Sequence, residues 1–303
     1  MSDPAASTRV AAFDIGSNSI KMTIATVSAD GNVHELAGMA KTTRLGEGID
    51  KTGQLAGDRI AATLDALEEM SGRATADGVT KRIGVATEAV RVASNGADFL
   101  HTIKERFGIS IAKISGDEEA ALAYDGLAAT MPLEGLVVMA DIGGASTEIV
   151  AATGERKDIS RSLPLGSGRL TDRLVTSNPP SMAELHACRD AATSILTPTG
   201  VGNHQGGKLY VTGGTGEYMS RLIGKQAGIE PSEVKGLLRR LSTMSAEEVA
   251  ESSDIPVARA KVLPAGIAIV AALCDLTKPV EIIGAPGGVR TGLLLAAARG
   301  SLT

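Results

Sequence analysis

An α/β architecture of two similar domains follows from three features of this 303-residue chain. The opening segment reads as an antiparallel meander, the residues after it alternate strand with helix, and the meander's sequence then returns in altered form. A meander followed by alternation gives a mixed sheet flanked by helices, and the return gives a second such sheet. The length suits two domains of the usual ~100 to 200 residues each.

Residues 9–14 and 19–27 are apolar or alternating runs on either side of the small polar stretch "DIGSNS". An "ADGN" hairpin turn follows, and a third strand runs from Val33 to Leu45. Ile60, Leu64 and Leu67 have helical spacing; "RIGVATE" reads as a strand; Phe99, Ile103 and Phe107 mark a helix stopped by Gly108; "ISIAKI" is a strand and a helix starts near Gly116. "LVVMADIGGASTEIVAATGE" then repeats the plan of "RVAAFDIGSNSIKMTIATVSADG", with 127 residues separating Asp14 from Asp141. "RKDISRSLP" supplies a third strand again, and helices, the strand "KLYVTGG", a helix-rich insert, the strand "EIIGAP" and a last helix complete the second copy. Domain I is expected over residues 1–122 and domain II over 123–303, with the last helix, 289–303, packing back on domain I.

Composition narrows the function. Net charge is −5 and tryptophan is absent, so neither a basic stripe nor an aromatic platform supports general nucleic-acid binding. The N-terminus lacks a basic-then-apolar leader pattern, and "VLPAGIAIVAALC" is shorter than the ~20 residues of a membrane span, so a cytoplasmic protein without membrane partners is expected. Cys188 and Cys274 have neither metal-site nor disulfide-framework spacing. The four histidines lie in unlike contexts, which argues against histidine catalysis.

Each duplicated hairpin joins an Asp at a strand end to glycine and small polar residues. Such a turn leaves backbone N–H groups pointing outward as an anion nest, and a carboxylate beside it suits a Mg²⁺ ion carrying phosphate. One hairpin alone would read as a plain β-turn; two matched ones, at Asp14 and Asp141, favour phosphate. "VTGGTGEY" is a weaker third glycine stretch at a strand-to-helix junction. Ser115 and Glu118 have capping-box spacing, as do Ser181 and Glu184, which leaves Glu119 without a structural duty. Arg91, just after a strand, reads either as a surface arginine or as a phosphate clamp.

In order, "DIGSNSIKM", "VATEAVRVASNGADF", "ISGDEEAALAYDG", "DIGGASTEIV", "LGSGRLTDR", "VTGGT", "VLPAGIAIV" and "GGVRTGLL" resemble the exopolyphosphatase and guanosine pentaphosphate phosphohydrolase family, within the superfamily of actin and hexokinase. The resemblance spans nearly the whole chain. It implies two ribonuclease-H-like domains with the site in the cleft between them, and Mg²⁺-dependent hydrolysis of a terminal phosphoanhydride. On matching positions, Glu119 resembles the catalytic base, Asp14, Asp141 and Glu148 carboxylates around metal and water, and Arg91 a phosphate ligand. Gly16, Ser17, Asn18 and Ser19, with Gly143, Gly144, Ala145, Ser146 and Thr147, correspond to the substrate-binding loops. Lys21, Arg169 and Arg290 are expected to add positive charge near that cleft.

Two positions depart from the family pattern: Ala145 stands where a third glycine is common, and Thr291 where an acidic residue is common. The resemblance is to a short form, without the helical C-terminal extension of longer members. Inorganic polyphosphate is the expected substrate, guanosine pentaphosphate the near alternative, and a homodimer the expected assembly. A non-catalytic alarmone- or polyphosphate-binding regulator and an ATP-dependent kinase of the superfamily are the competing classes.

Overall fold

The computed structural model describes residues 7–28 and 32–299. Most of the "ADGN" turn lies outside them. Contacts divide the chain into two compact units: one takes the residues up to Gly126 and resumes at Gly288, and the other runs from Leu127 to Gly287.

In the first unit β1 (Thr8–Ile15), β2 (Ser19–Val27) and β3 (Val33–Thr42) form the meander. Then come α1 (Ile49–Thr52), α2 (Gly57–Ala76), β4 (Lys81–Ala86), α3 (Glu88–Val92), α4 (Gly96–Phe107), β5 (Ser110–Lys113) and α5 (Gly116–Thr130), whose last turn passes into the second unit. The sheet order is β3-β2-β1-β4-β5. β2 is antiparallel to both neighbours while β1, β4 and β5 are parallel, the arrangement of a ribonuclease-H-like domain.

The second unit repeats the plan. β6 (Leu136–Ile142), β7 (Thr147–Thr153) and β8 (Arg156–Leu163) are its meander, followed by α6 (Ser167–Leu174), α7 (Met182–Leu196), β9 (Lys208–Thr212), α8 (Gly213–Ile223), α9 (Pro231–Leu241), α10 (Ala246–Ser253), α11 (Val257–Ala260), α12 (Leu263–Thr277) and β10 (Glu281–Gly284). The order β10-β9-β6-β7-β8 matches that of the first sheet strand for strand. The last helix, α13 (Val289–Ala298), belongs with the first unit and packs on β1 and β2.

Each unit has its own core. Phe13, Ile15, Ile20, Met22, Leu67 and Ile103 anchor the first, and the apolar runs of β1 and β2 are buried because helices cover the sheet. The second is built around α12, which packs on α7, α9 and α6. With α11 this segment, Val257–Thr277, spans 21 residues and is long and apolar enough to cross a membrane, a length the "VLPAGIAIVAALC" reading underestimated. Its most apolar window is 83% buried inside the fold, which makes it a core helix here.

Two candidate phosphate sites, one in each unit

The first site is built where β1 ends. Asp14 pairs in register with Lys21 on β2 and Val85 on β4. Register partners project to the same face of a sheet, so Lys21 stands beside Asp14 rather than on the opposite face. Arg290 on α13 donates from Nη1 to Thr23 Oγ1 at 2.8 Å, two residues further along β2. Burial pushes the Asp14 carboxyl up from its ordinary range, opposed by the Lys21 and Arg290 charges.

The hairpin itself is tied down through its carbonyls. Gly46 donates to Ser17 O at 2.8 Å, and Thr43 and Arg44 donate to Asn18 O at 3.1 and 2.9 Å. The backbone N–H groups of Ser17 and Asn18 have no acceptor among the described residues. Asn18 is buried, and its side-chain Nδ2 has no partner either.

Arg91 and Glu119 meet at this unit's other approach. The strand β4 ends at Ala86, and Thr87 then donates its N–H to Ile15 O at 3.2 Å, setting α3 against the hairpin. Arg91 Nη1 donates to Ile114 O at 2.7 Å and to Glu119 Oε2 at 3.3 Å. Glu119 is only 5% exposed. Its neighbour Glu118 accepts from Ser115 N–H at 2.7 Å while Ser115 Oγ accepts from Glu118 N–H at 3.2 Å, a complete capping box. Hydrogen bonds to its carboxylate from the Ser115 backbone, and after that from the Ser115 side chain, hold the Glu118 carboxyl below its ordinary range.

The second site has the same frame and different charges. Asp141 pairs with Glu148 on β7 and Thr212 on β9, and Glu148 pairs with Ser162 on β8. Ser162, Glu148, Asp141 and Thr212 therefore form a polar row across one face, with Ser162 Oγ donating to Glu148 Oε1 at 2.7 Å. Lys21 and Glu148 are separated by the same 127 residues as the two aspartates, so the cation of one copy is replaced by a carboxylate in the other.

Behind the second hairpin, Ser167 donates its N–H and its hydroxyl to Gly143 O, Arg169 N–H donates to Gly144 O, and Arg169 Nη1 donates to Ala145 O at 2.9 Å. Thr147 Oγ1 donates to Leu165 O. Every carbonyl from Gly143 to Ala145 is thus engaged, while the N–H groups of Gly144, Ala145 and Ser146 have no acceptor among the described residues. Ala145 is not among the residues with positive φ, so its methyl imposes no left-handed strain and a third glycine is unnecessary.

Sequence reading passed over Arg259. The residue is 8% exposed and its guanidinium lies on the Gly213–Gly214 turn that opens α8; a Cβ at Gly214 would fall 1.6 Å from Nη2, so any side chain there would displace the guanidinium. The Arg259 guanidinium makes no hydrogen bond or ion pair among the described residues and lies 5.8 Å from the Tyr218 ring centroid. Burial pulls its pKa down, opposed by Tyr218, Glu217 and Asp141. Next to it, Thr212 is fully buried with an unpartnered Oγ1.

Among the described residues no group of three His, Cys, Asp or Glu side chains is placed to hold a metal ion. Asp14 has the charges of Lys21 and Arg290 near it in its own unit. The donor set that suits Mg²⁺ is the Asp141 and Glu148 pair, since this ion takes hard oxygens and is commonly held by one or two carboxylates plus substrate phosphates.

Known proteins resemble this chain over its whole length. Exopolyphosphatase 1 of Mycobacterium tuberculosis is 27% identical, the match covering 95% of this chain and 87% of that one. The crystal structure of the Aquifex aeolicus Ppx/GppA family member is 28% identical with a TM-score of 0.78, covering 98% of this chain and 99% of its own. An exopolyphosphatase structure from Cytophaga hutchinsonii, at 20% identity, shares the fold with a TM-score of 0.87 over 97% of this chain and 98% of its own. The model of the Ppx/GppA phosphatase family matches residues 23–299, and the chain belongs to that family.

Proposed function

We propose that the protein is an exopolyphosphatase that hydrolyses the terminal phosphoanhydride of inorganic polyphosphate with Mg²⁺, using water activated by Glu119. The observation that carries this reading is the pair of hairpins whose carbonyls are bonded from behind while the N–H groups of Ser17, Asn18, Gly144, Ala145 and Ser146 are left for a ligand. Outward amides of this kind match phosphate oxygens. Ser19, Gly16, Gly143 and Thr147 complete the two loops, and Lys21, Arg290 and Arg259 supply cationic charge.

Phosphoryl transfer is mostly positioning and charge neutralisation, with a carboxylate to orient and deprotonate water. Glu119 is the carboxylate for that task because its neighbour Glu118 is spent on the helix cap. Asp141 and Glu148 would hold the metal, which would neutralise phosphate oxygens and help orient water. Asp14, with the charges of Lys21 and Arg290 near it, would be the third carboxylate around the metal and the attacking water. A cytoplasmic setting is in keeping with Cys188 and Cys274, both buried and unbridged.

Phosphate release measured with Mg²⁺ on polyphosphates of several lengths, guanosine pentaphosphate and ATP tests the proposal. Release from polyphosphate that stops on chelation with EDTA and returns on adding Mg²⁺ is expected. Preferential release from guanosine pentaphosphate would move the assignment to the near alternative. Tight polyphosphate binding without turnover would make the protein a regulator.

A further inference from the structure

Arg91 sits on a five-residue helix fixed from every side. Ala89 N–H donates to Ser17 Oγ at 3.2 Å, so the first phosphate hairpin pins the start of α3. Thr87 N–H bonds the Ile15 carbonyl just before that hairpin. On the far side, a Cβ at Gly96 would lie 2.2 Å from Val90 O, which packs α3 against the start of α4 without a gap. Asn95 then bonds Leu55 through both ends of its side-chain amide, at 2.9 and 3.0 Å. So short a segment needs no such anchoring to carry a surface arginine.

The anchoring aims one guanidinium. Nη1 is shared between the Ile114 carbonyl and Glu119 Oε2, while Nε and Nη2 make no bond among the described residues. Arg91 is 23% exposed at its side chain and Glu119 6%, so the nitrogens not used on protein have access that the carboxylate largely lacks. The Ile114 bond matters for aim: it locks the guanidinium plane to the strand end from which α5, the helix of Glu119, departs.

We propose that Arg91 is a positioning residue for Glu119 as well as a phosphate ligand: Nη1 holds the base while the remaining donors receive the substrate's phosphate. One rigid planar group then fixes the spacing between the phosphate and the carboxylate that activates water. The proposal rests on Glu119 being the base. A lysine at this position keeps the charge that attracts phosphate, but its single ammonium cannot hold Ile114, Glu119 and phosphate in fixed directions at once. Misplacing a reacting group by ~1 Å is enough to cost up to 10²-fold in rate.

The test is a double-mutant cycle on the full-length protein with Mg²⁺ and polyphosphate of defined length: wild type, Arg91→Lys, Glu119→Gln and the pair, each with kcat, KM and a thermal melt. In the wild-type background Arg91→Lys is expected to lower kcat roughly 10-fold or more with KM changed by less than about threefold. In the Glu119→Gln background the same substitution is expected to lower kcat by less than about threefold, because its effect passes through the missing base. Equal losses in both backgrounds, or an effect confined to KM, would overturn the positioning role and leave Arg91 a phosphate ligand only. Near-normal turnover in Glu119→Gln alone would overturn the base assignment itself, and that result is read without any Arg91 variant. Should Arg91→Lys melt early, Arg91→Gln, which keeps a neutral donor for the Ile114 carbonyl, runs the same cycle.

Discussion

Glu118 and Glu119 point ~100° apart around α5 and so meet different partners. Glu118→Gln keeps an acceptor for the Ser115 N–H and is expected to leave turnover nearly unchanged, since the capping box accepts either residue. Glu119→Gln keeps the shape and loses the basicity, so turnover is expected to fall roughly 10²-fold or more with polyphosphate binding retained. Phosphate release and equilibrium binding on both variants check this; a collapse in folded Glu118→Gln would show that the wrong carboxylate was assigned. The Ser115–Glu118 cap was legible in the sequence because it is local, three residues long. Arg259 was not: nothing in "IPVARAKV" signals that its guanidinium covers Gly214, 45 residues earlier in the chain. Nor did any local pattern tie Arg91 to Glu119, which meet only because β4 and β5 lie side by side.

The element scale explains how the two copies diverged. Both use a β-strand ending in Asp, a hairpin, and a returning strand, and the period of two puts the residue opposite each Asp on the same face. Lys21 fills that place in one copy and Glu148 in the other, so the same frame sets a cation beside one aspartate and a carboxylate beside the other, as the proposed phosphate and metal roles require. The duplication was readable from pattern alone, whereas the strand-to-strand registers that gather Ser162, Glu148, Asp141 and Thr212 into a row required the fold. Helix caps offer an independent check. Glu184 starts α7 and accepts from Thr176, Ser177 and Ser181 through both carboxylate oxygens. Glutamine would turn an NH₂ toward donors, so Glu184→Gln is expected to destabilise where Glu118→Gln does not, by about 2 to 4 °C in Tm for a typical cap loss. The Ser177 hydroxyl and the Thr176 and Ser181 backbones hold the Glu184 carboxyl far below the ordinary range. Its stabilisation is therefore complete above the ordinary carboxylate pKa and fades as pH falls toward the lowered folded value. The Tm gap between wild type and Glu184→Gln should be full at pH 7 and narrow progressively below pH ~4; a gap that widens in acid would contradict the charge-based cap.

At the scale of the whole molecule the two units differ in how the chain builds them. The second is one continuous stretch, Leu127–Gly287, whereas the first is completed only when the chain returns at Gly288 and lays α13 on β1 and β2. The return is tightly fitted: a Cβ at Gly126 would lie 2.2 Å from Gly288 O, and one at Gly292 would lie 2.0 Å from Leu122 O, so α5 and α13 cross with their backbones almost in contact. Val289, Leu293 and Leu294 are buried in that packing. At about 1.5 to 3 kcal/mol for each such side chain, losing α13 forfeits roughly 5 kcal/mol or more, as much as the whole net stability of many domains. It also removes Arg290 from Thr23 and Asp14. A fragment of residues 127–287 is therefore expected to fold alone with a cooperative thermal transition, and a fragment of residues 1–126 is expected to lack one. Adding a synthetic peptide of residues 286–303 to the 1–126 fragment should restore hydrogen-exchange protection on β1 and β2. The Gly292→Val peptide should fail to do so, because its side chain would meet the Leu122 backbone. Cooperative unfolding of 1–126 without the peptide would show that α13 is an accessory to the first unit rather than part of its core.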